Sequence, residues 1–522
     1  MSVRRCLFFL LPLGLLVALL PGAAQISPTE PDPLSRMHAS APAQACSDTG
    51  ESLCAEASPK IIANALGPSP MEENLRRLTD EIGGRLTGSP QMSRAVDWAV
   101  QAFRDAGVDV HTESYTLPMS WSEGETRLDV LSPAPVPVRL VSVGWSPPIP
   151  VGGLDANVVF AGEGAEADFA RLGERGRGAI LLVHSELLRT RDDLFQESKR
   201  APGIIDRAVN AHAAGILWMS MREQLLLYRR SNTYVGQLDR LPQAVVARED
   251  ALRLERFLGA GQPVRVHWEM PNQIGPAVEQ QNVVGEVRGR EKPDEAVILG
   301  AHLDSWELGT GALADGCNAA MVIEAARDIR ATGLVPRRTI RFVLFSGEEQ
   351  GMLGSWAYVR AHRDEMDRVR GVLIFDEGIG RVTGFSLGGR QDIESGVREA
   401  VKPLEGWNLS QDTNDAPLGT DNFDFLLEGV PNLLANQEEA NYIPNYHAFS
   451  DTFDKVDIRE LKLHAAIAGV TIFGIAERLA PLGPRLSRAE IEALLQRTGL
   501  DAQMKAAGLW PLWESGHRGR EP

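Results

Sequence analysis

Three apolar runs in this chain each end on residues that bind metals or move protons. Residues 296–300 run into Ala301-His302-Leu303-Asp304. Residues 339–345 run into Ser346-Gly347-Glu348-Glu349, and residues 371–375 run into Asp376. A fourth candidate, His447, lies in the segment NYHAFSDTFDK. Imidazole with carboxylate is the donor set that suits Zn²⁺. Asp304, two residues beyond His302, could orient the imidazole as an outer carboxylate. Each group alone has an ordinary explanation. A His-x-Asp occurs in surface turns, adjacent glutamates usually form a solvated face, and an aspartate at a strand end often caps a helix. Their coincidence is what points to metal-dependent hydrolysis. Glu348 and Glu349 follow an apolar run and a glycine, which argues against an idle charged surface.

These groups need a scaffold that gathers strand ends. From Gln281 the rhythm is strand, helix, strand. Strands are expected over 282–287, 296–300, 339–345 and 371–375, and helices over 318–330, 354–362, 392–403 and 457–479, the last amphipathic. Alternation of this kind predicts an α/β fold with a mostly parallel central sheet flanked by helices. Ligands of open α/β sheets bind beyond the carboxyl ends of the strands, where the candidate residues fall. A helical pattern from 70 to 106 is broken by GGRLTGSP, and 111–117 alternates like a strand. Residues 59–120 are therefore the first part of the same domain, and 276–484 its main part.

Residues 121–275 read differently. Short β runs at 157–160, 179–184, 216–219, 244–247 and 264–268 sit among turns and one or two helices, of which 250–258 is clear. His184, His212 and His267 are isolated there and read as structural. This is expected to be a separate β-rich inserted domain. The tail, 485–522, carries one helix capped by Ser487 with Glu490 three residues on, stopping at Gly499.

At the other end, residues 1–24 read as a secretory signal. Arg4 and Arg5 precede an apolar run from Cys6 to Leu20, and Gly22-Ala23-Ala24 supplies small residues for cleavage. Pro12 and Pro21 shorten the run below the about 20 residues of a membrane span. The mature protein is thus expected to be secreted or periplasmic, with no membrane attachment. Residues 25–58, rich in Pro, Ser, Ala and Asp, form a leader or linker. In an oxidising compartment Cys46 and Cys54 either pair or remain two free thiols. The net charge of −17, from 53 basic and 70 acidic residues, excludes a nucleic-acid or anionic-lipid binder.

AHLDSWELGTGALADG, VLFSGEEQGMLGS, LIFDEG and YHAFSDTFDKVD resemble the motifs of the zinc exopeptidases of metallopeptidase family 28. Within it, HLDSWELGTG is closest to the carboxypeptidase Q branch. NLRRLTDEIGGRLTGSP and TDNFDFLLEGVPN extend the likeness to residues 60–480, and the insert is similar to a protease-associated domain. The resemblance implies a two-zinc site acting on a short peptide or dipeptide. One zinc would take His302 and Asp376, and the other Glu349 and His447. A bridging Asp would hold both, and Glu348 would be the general base. Relatives in this family imply a homodimer as one arrangement.

One position departs from that pattern. The bridging Asp of the family stands twelve residues after the first His, and here that count reaches Ala314. Only the next residue, Asp315, is acidic. Three outcomes are open: Asp315 swings in, a single metal is shared by the four remaining ligands, or the site is crippled. The last would make the chain a binding protein that keeps a peptidase fold.

Overall fold

The computed structural model of the chain describes residues 52–521. Its first sheet has seven strands. Their order is Asp109–Leu117, Val278–Val287, Arg338–Phe345, Lys292–His302, Val369–Ile374, Asn432–Gln437 and Val382–Ser386. The four consecutive strands from Arg338–Phe345 to Asn432–Gln437 pair in parallel. The other pairings are antiparallel. The sheet is thus parallel where the candidate ligands emerge and antiparallel at both margins. Long apolar strands of this kind are buried on both faces. Ala296 to His302, for instance, is buried at every position.

Register brings the three strand ends level. His302 pairs with Phe345, and Gly300 pairs with Ile374. Gly300 has no room for a side chain: a Cβ there would lie 2.8 Å from Ile374 and 2.9 Å from Phe345. The strands can therefore be covered tightly just below the residues that carry the chemistry.

Helix Ile458–Glu477 is not amphipathic as expected. Sixteen residues from Leu461 to Glu477 are buried, His464 and Thr471 among them. It packs against helices Cys54–Leu66 and Cys317–Ala331 as well as the sheet, so beyond its first turn no side faces water. Helix Cys54–Leu66 also corrects the leader boundary, because it begins inside the stretch assigned to a linker. Cys54 is buried and disulfide-bonded. Cys46, the signal segment and most of the leader lie outside the described residues.

A second seven-stranded sheet draws every strand from Arg127 to Glu269. It has its own apolar core, around Trp268, Leu182, Leu217 and Val266. Its long helix, Arg191–Asn210, has no position assigned from the sequence. Pro202 inside it hides the helical signal, but a capping box of Thr190 and Asp193 starts it.

In the tail, Ser487 and Glu490 form the expected capping box and Gly499 the left-handed stop, with φ 72°. The chain then continues through two further helices, Leu500–Ala506 and Trp510–Glu514, rather than ending in one. Arg518 fastens this tail with two hydrogen bonds to buried Asp424, both 2.8 Å. Among the described residues, no helix is long and apolar enough to cross a membrane.

Candidate metal centre

His302 ends the strand Lys292–His302, and its Nε2 lies 2.5 Å from Asp315 Oδ1 and 3.3 Å from Asp376 Oδ1. The donor atoms of these three residues fall within 4.8 Å of one another. Asp376 follows strand Val369–Ile374 after one residue. Glu348 and Glu349 follow strand Arg338–Phe345 across Gly347, whose φ of 77° turns the chain. Glu348 Oε2 is 4.0 Å from His302 Nε2. His447 arrives from a loop, and its Nε2 meets Glu349 Oε1 at 3.1 Å. The site residues singled out in the sequence therefore lie together.

Asp315 reaches the cluster through an unusual backbone. Its φ is 119°, a region that non-glycine residues seldom adopt. The preceding Ala314 has φ −85° and ψ 68°, so the turn Ala312–Gly316 is not regular helix. Of the three outcomes left open by the sequence, the geometry is that of the first. It is the carboxylate of Asp315 that stands beside His302 and Asp376.

Asp304 behaves differently from expectation. His302 Nδ1 faces the main-chain oxygen of Asp304 at 3.1 Å, while the carboxylate is 3.6 Å away. That carboxylate instead accepts the backbone N–H groups of Glu348 and Glu349, at 3.2 and 3.3 Å. It also accepts the Thr87 hydroxyl at 3.0 Å. Asp304 thus fixes the glutamate pair, and its carbonyl orients the imidazole.

Two supporting residues carried no assigned role in the sequence. Arg85, fully buried, donates to the carbonyls of Leu303 at 2.7 Å, Gly83 at 3.1 Å, Thr310 at 2.8 Å and Gly311 at 2.9 Å. It joins the His302 loop to the Asp315 loop. Asp451, four residues after His447, accepts backbone N–H groups from Ala312, Leu313 and Ala314. Both residues sit in motifs visible in the sequence, GGRLTG and FSD, but only the folded loops reveal what they hold.

The charge balance asks for a cation. Burial raises the carboxyls of Asp315, Glu348 and Glu349 well above their ordinary range. Burial works against protonation of His302, but Asp315 and Asp376 outweigh it and raise the imidazole. Burial pushes His447 down to about 3, so it is a neutral ring with a lone pair to give. Asp315 Oδ2 is buried and accepts no hydrogen bond. A buried, unpartnered carboxylate oxygen is costly unless a positive charge meets it. The residues present therefore fit a zinc-type ion, by donor chemistry and by this orphaned oxygen.

The cluster opens into a cleft of about 700 Å³. Its metal-facing wall includes His302, Asp376 and His447. Arg191, Arg230 and Tyr234 approach from the segment that builds the second sheet, and Gln503 and Ala507 from the tail. Arg191 is paired with Glu377, beside Asp376, and donates to its carbonyl at 3.1 Å.

An α/β sheet with carboxylates and imidazoles gathered at its strand ends defines the class of metal-dependent hydrolases. Residues 282–472 match the model of peptidase family M28. Carboxypeptidase Q of Rattus norvegicus is 28% identical over 407 residues, 78% of this chain and 85% of that protein. Aminopeptidase YwaD of Bacillus subtilis is 26% identical, over 58% of this chain and 59% of that protein. A peptidase M28 precursor from Shewanella amazonensis SB2B superposes with a TM-score of 0.75 at 28% identity, covering 83% of this chain and 98% of that one. A zinc aminopeptidase from Bacillus subtilis shares the fold, with a TM-score of 0.63 at 18% identity over 80% of this chain and 97% of that one. Residues 282–472 are thus similar to the peptidase domain of family M28, on a fold shared with solved members of that family.

Proposed function

We propose that the chain is a zinc-dependent exopeptidase that hydrolyses short peptides. The observation that carries this reading is the convergence of His302, Asp315 and Asp376 within 4.8 Å, with the Glu348 carboxylate beside them. His302 and Asp376 would hold one zinc, Glu349 and His447 a second, and Asp315 would lie between. Zinc bound there would supply Lewis acidity toward a water and the scissile carbonyl.

The protein's own groups do the rest. Glu348 accepts the proton of the attacking water and returns it to the leaving amine. Its backbone N–H is fixed by Asp304, which keeps the side chain aimed at the cluster. His302 is held in orientation by the Asp304 carbonyl. Burial of the walls strengthens each of these interactions. The tail and the 121–275 segment, read as an inserted domain, line the cleft and favour short substrates over folded proteins.

The rival reading is an impaired peptidase fold kept for binding, and it rested on Ala314. The close approach of Asp315 to His302 and Asp376 favours the active reading. Residues 1–24 support export, hence a secreted or periplasmic protein. The test is zinc per purified chain together with hydrolysis of unblocked dipeptides. Failure to bind zinc, or zinc binding with no hydrolysis of any short peptide, would refute the proposal.

A further inference from the structure

Asp315 reaches the metal cluster from one residue beyond the expected position, and something must hold the chain in the shape that allows it. Asp451 Oδ1 accepts from Ala312 N at 3.0 Å and Leu313 N at 2.6 Å. Its Oδ2 accepts from Ala314 N at 3.1 Å. Its main-chain oxygen accepts from Thr310 N at 2.8 Å and from the Thr310 hydroxyl at 3.2 Å. The backbone from Thr310 to Ala314 is therefore tied to a single residue that is only 2% exposed.

The consequence falls on the next residue. Helix Cys317–Ala331 must begin immediately after, and Gly316 N bonds back to Gly311 O at 3.0 Å. With the three amides fixed on one side and the helix on the other, the turn is left to Asp315. Its φ of 119° is a strained conformation for a residue with a side chain and persists only when its surroundings impose it. That same turn brings its carboxylate to His302. Asp451 also belongs to the loop that delivers His447, and its own N–H bonds to Ala448 O at 3.1 Å. One side chain thus locks the loop of one ligand onto the loop of another.

We propose that Asp451 is a positioning residue that imposes the Asp315 turn and so gives this chain the metal-bridging carboxylate that Ala314 lacks. The proposal rests on the reading of Asp315 as a metal ligand. Asp451→Asn tests it. The amide oxygen can still accept from Ala312 and Leu313, but its NH₂ faces the Ala314 N–H, donor against donor.

Two measurements on metal-free protein read the result: hydrogen exchange along the chain, and zinc affinity by competition with a chelating dye. Expected is a loss of protection confined to residues 310–316, with zinc affinity down by about 10–100-fold, as for other groups that orient a ligand. Zinc affinity kept despite an unprotected loop would overturn the proposal. So would affinity lost with the loop still protected. Should Asp451→Asn not fold, Asp451→Glu keeps the charge and displaces the loop by one methylene, and is read the same way. Asp315→Asn separates the two claims. Native zinc affinity in that variant would refute the ligand reading itself, whereas a loss there with no loss in Asp451→Asn refutes only the positioning role.

Discussion

Replacing Glu348 by Gln removes one proton acceptor and almost nothing else. The two side chains have nearly the same shape, and the backbone N–H that anchors this position to Asp304 at 3.2 Å is untouched. The Glu348 side chain is 10% exposed, at the edge of the cleft. No neighbour can take over its role. Glu349 faces His447 at 3.1 Å, Asp376 faces His302 at 3.3 Å, and Asp421 is fully buried. Loss of a positioned general base costs about 10²–10⁴ in rate, or about 2.7–5.4 kcal/mol of barrier. With no substitute base in reach, the upper half of that range is expected in kcat.

The assay pairs kcat on an unblocked dipeptide with the melting temperature of metal-free protein. Burial raises the Glu348 carboxyl well above 4.5, opposed by His302 and reinforced by Asp376 and Glu349. A group whose folded pKa is raised contributes stability only while protonated, and that contribution is lost as pH rises above 4.5 through the folded value. Above pH 4.5 the buried glutamate is therefore a burden that Gln removes. Metal-free Glu348→Gln should melt no lower than the native chain at neutral pH, and the difference should fade toward acid. The acid limb of the native kcat/KM profile should also be absent from the variant. A variant that keeps more than about a tenth of native kcat, or that loses its zinc while Glu349→Gln retains it, would show that the roles of the two glutamates are wrongly assigned.

Glu349→Gln should behave in the opposite way, losing zinc affinity first and activity as a result, which a chelator competition would detect before any rate is measured. Arg85→Lys keeps the charge but cannot reach four carbonyls at once. Each carbonyl left buried without a donor costs about 1–3 kcal/mol, so urea unfolding should show a clear drop in midpoint; an unchanged midpoint would refute the bracing role. Ala314→Asp should not raise zinc content. The space beside Ala314 is a void of only about 10 Å³ bounded by Trp306, His447 and Asp451, and a new carboxylate there would meet Asp451, so a loss of about 1–3 kcal/mol in stability is expected from overpacking. Increased zinc occupancy in that variant would mean that position 314 can serve after all. N-terminal sequencing of exported protein should begin near Gln25.

The elements that carry the chemistry were legible because each is governed by local sequence. A buried strand needs an apolar run, and a ligand at its end needs only to follow that run. This is why 296–300, 339–345 and 371–375 are recognisable and why His302, Glu348, Glu349 and Asp376 fall where those runs stop. Helix Arg191–Asn210 was hidden by Pro202, and the polar face expected of Ile458–Glu477 does not extend past its first turn, because neighbouring helices cover what would have been its wet side. Neither effect is local. The strands at Asn432–Gln437 and Val382–Ser386 belong to the same kind of failure, since they are defined by the neighbours they pair with more than by their own composition.

The step from Ala314 to Asp315 is the sharpest case. Counting residues from His302 assumes that the backbone between two ligands keeps one shape, so that a fixed spacing gives a fixed position. Here the loop is shaped by contacts distant in sequence: Arg85 grips Thr310 and Gly311, and Asp451 grips Ala312, Leu313 and Ala314. A chain held at those points can turn at its next residue and deliver a carboxylate one position late. The one-residue discrepancy in the sequence is therefore evidence of a damaged site only if the loop is free to follow the count. Arg85 lies more than 200 residues before that loop, and Asp451 lies 137 residues beyond Ala314. Whether Ala314 matters is decided at those two places, and a reading confined to the motif itself has no access to either.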